Sequence, residues 1–324
     1  MRAYVYFLAL LATPLVARES GNVDAFFTDE TIPVKRPWMT GPLLTPSGHV
    51  VPEGHQNYEP YVYWTQTNGS YNPHWNSTSG PTFTDVLAQF SMQIGVMPDT
   101  EVDLNPQFVY NNMHKKHMWR LSDFPVALSW QLVSHSFGKW YPAMKLRVGA
   151  NLPFGKYDRL QPKKFGVDAG GVGNWLPSIG LIFTKLHHIH GHQFFAWRFF
   201  SQYTLPVSFS VKDVSIYGGA KGTRGKVHAG SQFLALLGME YSLTQNWVLA
   251  LDVQYSHLNS LRFKGRTPPG TKPNGPSKEQ FSLAPGIEYN WSSNIGIIAG
   301  PWFSVAGRNS ARFISYIFAI NIYN

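Results

Sequence analysis

The sequence contains no cysteine, which excludes disulfides and thiolate metal sites. Beyond the first 17 residues, no segment approaches the ~20 consecutive apolar residues that a membrane helix requires. The last third of the chain also lacks any helix-length stretch with a 3.6-residue apolar period. Charge is sparse, at 14% of residues. These absences exclude a disulfide-stapled mini-domain and a helical membrane protein, and the lack of cysteine suits a chain that crosses an oxidising periplasm.

What the sequence does contain is alternation. Between Gln232 and Asn324 the residues read in steps of two. Phe281, Leu283, Pro285, Ile287, Tyr289 and Trp291 fall on one face, with Ser282, Ala284, Gly286, Glu288 and Asn290 between them. The same pattern holds for Phe233 to Leu243, for Trp247 to Tyr255 and, at the end, for Ile314 to Ile322. Strict period two marks strands whose faces meet different media. Leu234, Leu236 and Val248 break it, sitting among the polar positions. Many long strands in succession, with aromatics at their ends, fit a transmembrane barrel that is apolar outside and polar inside. The mean hydropathy of −0.18 agrees, because a barrel gives only every second residue to lipid.

Three regions follow. Residues 1–17 resemble a secretory signal peptide, with Arg2, an apolar run from Tyr4 to Leu11 and a small residue at Ala17. Residues 18–56 have little periodicity and many Pro, Gly, Thr and His. They read as an irregular periplasmic lead-in that either forms a mobile tail or tucks into the barrel mouth as a plug. Residues 57–324 form the barrel, an antiparallel up-and-down all-β fold of about twelve strands. The strands are expected near 58–66, 83–97, 101–112, 124–135, 143–154, 176–189, 194–209, 230–244, 247–262, 280–292, 295–307 and 311–323. Connections at one end are short, as at 98–100, 191–193, 244–246 and 292–294. At the other they are long, near 67–82, 113–123, 155–175, 210–229 and 263–279. Short periplasmic turns and long outer loops are the bacterial outer membrane pattern.

The net charge of +9 concentrates in those long connections, at Lys115, Lys116, Arg120, Lys156, Arg159, Lys163, Lys164, Lys221, Arg224, Lys226, Lys264, Arg266, Lys272 and Lys278. At an outer surface they would face lipopolysaccharide phosphates. Nucleic acid is not the expected partner, because no recognition motif accompanies the charge.

The hairpins repeat. Gly238-Met239-Glu240-Tyr241 leads to Asn246-Trp247, and Gly286-Ile287-Glu288-Tyr289 leads to Asn294-Ile295, with Ala284-Pro285 ahead of the second unit and Gly307-Arg308-Asn309 closing its hairpin. In these motifs the chain resembles the MetA-pathway phenol-degradation family of outer membrane transporters. The resemblance implies a bacterial outer membrane barrel, passage of small aromatic or hydrophobic compounds, and assembly by the barrel assembly machinery. One departure is the end of the chain, Ile322-Tyr323-Asn324, where the aromatic residue that such machinery reads stands one place early.

No constellation points to an enzyme. Ser134-His135-Ser136 and Ser256-His257 lack a nucleophile elbow. Ala169-Gly170-Gly171-Val172-Gly173 is followed by no helix, so it reads as a flexible loop tip. His188, His190 and His192 are the candidate metal ligands, but with no carboxylate nearby a solvated turn explains them better, and no cofactor is expected. The expected functional feature is a mixed-charge belt in the lumen. Asp103, Arg147, Arg198, Glu240, Asp252 and Glu288 all take the inward phase, a few residues from a periplasmic turn. The belt is either a salt-bridged filler or a constriction. The whole reads as an outer membrane channel for small solutes. The other reading is a structural or adhesion barrel with a closed lumen and basic outer loops.

Overall fold

A computed structural model describes residues 36–324 apart from residues 135 and 137. The expected signal segment lies outside the described residues. The strands are β1 (Gln56–Tyr71), β2 (Ser77–Met97), β3 (Thr100–Leu104), β4 (Gln107–Met113), β5 (Lys116–Leu121), β6 (Phe124–Val133), β7 (Ala143–Leu152), β8 (Ser178–His190) and β9 (Gln193–Thr204). They continue as β10 (Ser208–Lys212), β11 (Arg224–His228), β12 (Gln232–Ser242), β13 (Trp247–Leu258), β14 (Arg262–Arg266), β15 (Lys278–Asn290), β16 (Ile295–Arg308) and β17 (Ala311–Tyr323).

Fourteen of them form one antiparallel sheet, which closes because β1 pairs with both β17 and β2. At the seam Gln56 and Asn324 exchange main-chain hydrogen bonds of 2.9 Å in both directions. Two staves are each broken in the middle. β3 and β4 pair with successive parts of β2, while β5 pairs with β4 and β6 with β3. The barrel therefore has twelve staves. The breaks fall at Asn105-Pro106 and at Ser122-Asp123, the second just before Pro125, and neither proline can donate to a ladder. Asn105 N–H to the Pro125 carbonyl and Ser122 N–H to the Gln107 carbonyl, both 3.0 Å, carry the pairing across.

The alternation sorts as a membrane barrel requires. Val62, Trp64, Phe90, Phe108, Val148, Leu249, Ile287, Tyr316, Phe318 and Ile322 are exposed on the outside. Gln89, Ser91, Gln93, Gln254, Ser282 and Ser315 are buried on the inside. A closed antiparallel barrel with an apolar exterior and a polar interior is an outer membrane architecture. The chain is an outer membrane β-barrel.

The long connections differ from the sequence-based expectation. Segments 67–82 and 113–123 are largely strand, since β1 runs to Tyr71, β2 starts at Ser77, and β4 and β5 meet at a turn between Met113 and Lys116. The expected fourth strand starting at 124 is the lower half of a stave that begins at Lys116. Segments 210–229 and 263–279 contain β11 and β14, which join β10 in a separate three-stranded sheet. Residues 169–173 are not a flexible tip. Val167 and Ala169 are buried, and Asn111 Nδ2 donates to their carbonyls at 3.2 and 2.7 Å. Asp123 accepts from Gly155 N–H and Val172 N–H at 2.9 and 2.8 Å. This loop folds back because wall side chains satisfy its main chain.

Candidate functional site

Residues 37–51 lie inside the barrel and all but Trp38 are buried. A segment rich in proline and glycine makes no ladder of its own, so its buried N–H groups need partners from elsewhere. The wall supplies them, largely from carboxylates. Thr40 donates its N–H and Oγ1–H to Glu288 Oε2 at 2.8 and 2.9 Å. Leu44 N–H and Thr45 N–H each reach Asp252 at 3.0 Å, and Thr45 Oγ1 donates to it at 2.6 Å. Gly48 N–H donates to Thr184 Oγ1 at 2.7 Å and Val50 N–H to Gln131 Oε1 at 2.8 Å. Val51 N–H donates to Glu101 Oε2 at 2.7 Å. The acceptors lie in turn on β15, β13, β8, β6 and β3, so the segment runs across the lumen along one side of the wall.

Apolar side chains hold the same segment. Leu43 and Leu44 belong to one buried cluster with Leu234, Leu236, Ala284, Ile298 and Trp302. Met39 packs with Leu186, Phe194, Ala196 and Val248. Leu234, Leu236 and Val248, which interrupt the polar phase of their strands, are the wall's share of these contacts. Each fully buried Leu or Met contributes about 1.5–3 kcal/mol. Glycines make the room. Arg198, Gly238 and Asp252 stand in one row across β9, β12 and β13. A Cβ on Gly238 would lie 2.5 Å from Pro42 Cγ and 2.8 Å from Thr45 Cβ.

All six candidate lumen charges are buried. Asp252 and Glu288 face the inserted segment. The other four form two ion pairs, Arg147 Nη1 with Asp103 Oδ2 at 3.2 Å and Arg198 Nε with Glu240 Oε2 at 3.0 Å. Glu101 and Lys145 were absent from the candidate set, yet they form a fully buried pair at 2.8 Å, and Lys145 Nζ also donates to the His49 carbonyl at 2.9 Å. Lys145 shares its inward phase with Arg147, and that was its signal. Glu101 shares parity with Asp103 but stands against the turn, where phase is hard to read. Buried charges are costly unless paired or hydrogen-bonded, and here each carboxylate has one of those compensations.

The histidines do not converge. His188 Nε2 lies 2.9 Å from the Gly191 carbonyl and its ring packs on Phe194, while His187 Nε2 accepts from Trp197 Nε1 at 3.2 Å. Among the described residues no three His, Asp or Glu side chains form a metal-sized group. His257 lies between Glu279 and Asn259, at 3.2 and 3.3 Å. His135 lies outside the described residues.

No family model matches the sequence, and no curated protein matches it. Solved structures do match the fold. The COG4313 outer membrane channel from Pseudomonas putida F1 superposes with a TM-score of 0.60 at 11% identity, covering 86% of this chain and 98% of that one. The transport unit of the autotransporter AIDA-I from Escherichia coli gives 0.48 at 11% identity, over 83% and 90%. The β domain of the Bordetella autotransporter BrkA gives 0.44 at 10% identity, over 83% and 99%. At these identities the first likeness establishes a shared barrel fold.

Proposed function

We propose that the protein is an outer membrane channel for small solutes whose resting lumen is closed by residues 36–56. The observation that carries this reading is how the segment is held. Main-chain amides at Thr40, Leu44, Thr45 and Val51 donate to Glu288, Asp252 and Glu101, three separate carboxylates on three staves. A filler needed only for stability is made most cheaply from apolar wall contacts, because a buried charge without its partner is strongly destabilising. A segment held by hydrogen bonds to carboxyl groups can leave, since water then solvates the same groups. Tyr61, Tyr63, Phe200, Trp302 and Phe313 line the interior beside it, which supports a solute with an aromatic or apolar body and a polar end. The resemblance to the phenol-degradation family and the description of the Pseudomonas putida barrel as a channel agree with this. Asp103, Arg147, Arg198 and Glu240 would form the constriction once the segment moves.

The second reading is a structural or adhesion barrel, favoured by the near-complete burial of residues 37–51. Planar-bilayer recordings of the whole protein and of a Glu101→Gln, Asp252→Asn, Glu288→Gln variant separate the two. The channel reading expects low or intermittent conductance in the first and a larger, longer-lived conductance in the second. Silence from both, with the variant still heat-modifiable on gels, would leave the closed barrel.

A further inference from the structure

We infer that the three-stranded sheet of β10, β11 and β14 is a docking face for the phosphates of lipopolysaccharide in the same membrane. This sheet continues β9, β12 and β13 beyond the barrel, in the same strand order. Its register sets three rows, Ser208–His228–Arg262, Ser210–Lys226–Lys264 and Lys212–Arg224–Arg266. The positions between them carry Phe209, Val211, Val227 and Phe263, all buried with Leu261 against Tyr157 and Tyr217. One face is thus a small apolar core. The opposite face presents six Lys or Arg side chains and a histidine, all exposed except the partly buried Lys212.

This arrangement is unfavourable by itself. Directly opposed cross-strand side chains sit about 5 Å apart, and like charges there destabilise a sheet. Lys226 opposes Lys264, and Arg224 opposes Arg266. Among the described residues none of the six makes an ion pair with a carboxylate. The two nearby acids turn to main chain instead, Asp158 accepting from Lys212 N–H at 3.0 Å and Asp213 from Gly222 N–H at 2.8 Å. A sheet edge region commonly carries lysines to resist pairing with other chains. That accounts for an outer strand but not for Lys226 and Arg224, which lie on the central one.

Charge complementarity and position select the occupant. The apolar face packs against Tyr157 and Tyr217, from the 153–177 and 213–223 connections, and the first of these is anchored to the interior-facing Asn111 and to Asp123. The basic face therefore points away from that anchored loop, on the long-connection end of an outer membrane barrel. The anionic groups at that level are the phosphates of lipopolysaccharide, and a cluster of Lys and Arg binds phosphate through charge-assisted hydrogen bonds. This assignment does not depend on whether the lumen conducts.

The test uses the full chain in detergent micelles, with binding of purified lipopolysaccharide followed by native mass spectrometry and by fluorescence anisotropy. Lys226→Glu with Lys264→Glu should weaken binding about tenfold or more. Lys163→Glu with Lys164→Glu, in the 153–177 loop, should not. Dephosphorylated lipopolysaccharide should bind wild type as weakly as intact material binds the reversed variant, and added salt should weaken the wild-type complex. Bilayer conductance should be the same in all three proteins. If charge reversal disturbs folding, Ser210→Glu places a carboxylate in the same row and should reproduce the loss. Equal binding by the Lys226/Lys264 variant, equal binding of the dephosphorylated form, or capture of heparin without lipopolysaccharide would each overturn the assignment.

Discussion

Asp252 holds Thr45 twice, accepting from its main-chain N–H at 3.0 Å and from its hydroxyl at 2.6 Å, across 207 positions of sequence. The same carboxylate accepts from Leu44 N–H at 3.0 Å. Hydrogen bonds to an ionised acceptor are each worth about 1.5–3 kcal/mol. Asp252→Asn keeps an acceptor oxygen but removes the charge and offers an NH₂ where an acceptor was. The expected outcome is a shift of the closed-to-open ratio by about tenfold toward open. Single-channel open probability measures it, with the heat-dependent gel shift unchanged.

Glu101 and Lys145 form an ion pair in the lumen with no exposed side-chain surface on either partner. Removing one partner strands the other. Lys145→Met should cost about 3–5 kcal/mol, whereas Lys145→Met with Glu101→Gln should recover most of that loss. Urea unfolding in detergent, followed by tryptophan fluorescence, reads both. A double variant no more stable than the single one would show that the pair's partners, Val51 N–H and the His49 carbonyl, dominate instead.

The barrel was legible because its exterior obeys one rule. Lipid faces every second residue, so Phe281 to Trp291 and Ile314 to Ile322 announce their strands without help. The stave containing β5 was not legible in full, because Ser122, Asp123 and Pro125 look like loop while Leu121 and Phe124 continue the wall. Nor was the outer sheet. Phe209, Val211, Val227 and Phe263 are too few and too scattered to mark a core until register brings them together. The inserted segment carries no periodicity at all, since it follows the shape of a lumen rather than its own hydrogen-bond ladder. Its trace in the sequence lay on the other side of the contact, in Leu234, Leu236 and Val248, apolar residues standing where a water-filled interior would want polar ones.

Gly41 has φ of +99°, and a Cβ there would lie 2.5 Å from Arg198 Nη1. Gly41→Ala therefore meets both backbone strain, of order 1–3 kcal/mol, and the guanidinium that pairs with Glu240. Gly41 lies in the inserted segment and outside every strand of the wall, so the strand pairing of the barrel should be unaffected. Conductance should rise while the unfolding midpoint in urea stays within error of wild type. A lowered midpoint with unchanged conductance would place Gly41 in the stability of the wall and remove it from closure.

Topology gives the last prediction. Lys221 and Asn294 are both exposed, at opposite ends of the barrel. Lys221 follows β10 in a long connection beside Gly222, around which a Cβ would find open space. Asn294 sits in the tight turn between β15 and β16, and its carbonyl accepts from Tyr323 N–H at 2.8 Å near the closing seam. The sequence has no cysteine, so Lys221→Cys and Asn294→Cys each offer a single thiol. The folded loop at 167–173 is a poor place for such a probe, because Val167 and Ala169 are buried. A membrane-impermeant maleimide should label Lys221→Cys on intact cells and Asn294→Cys only after the outer membrane is permeabilised. Long outer loops and short periplasmic turns require this order. The reverse order would turn the basic sheet toward the periplasm, away from lipopolysaccharide, and the docking face would fall with it while the barrel and its inserted segment would stand.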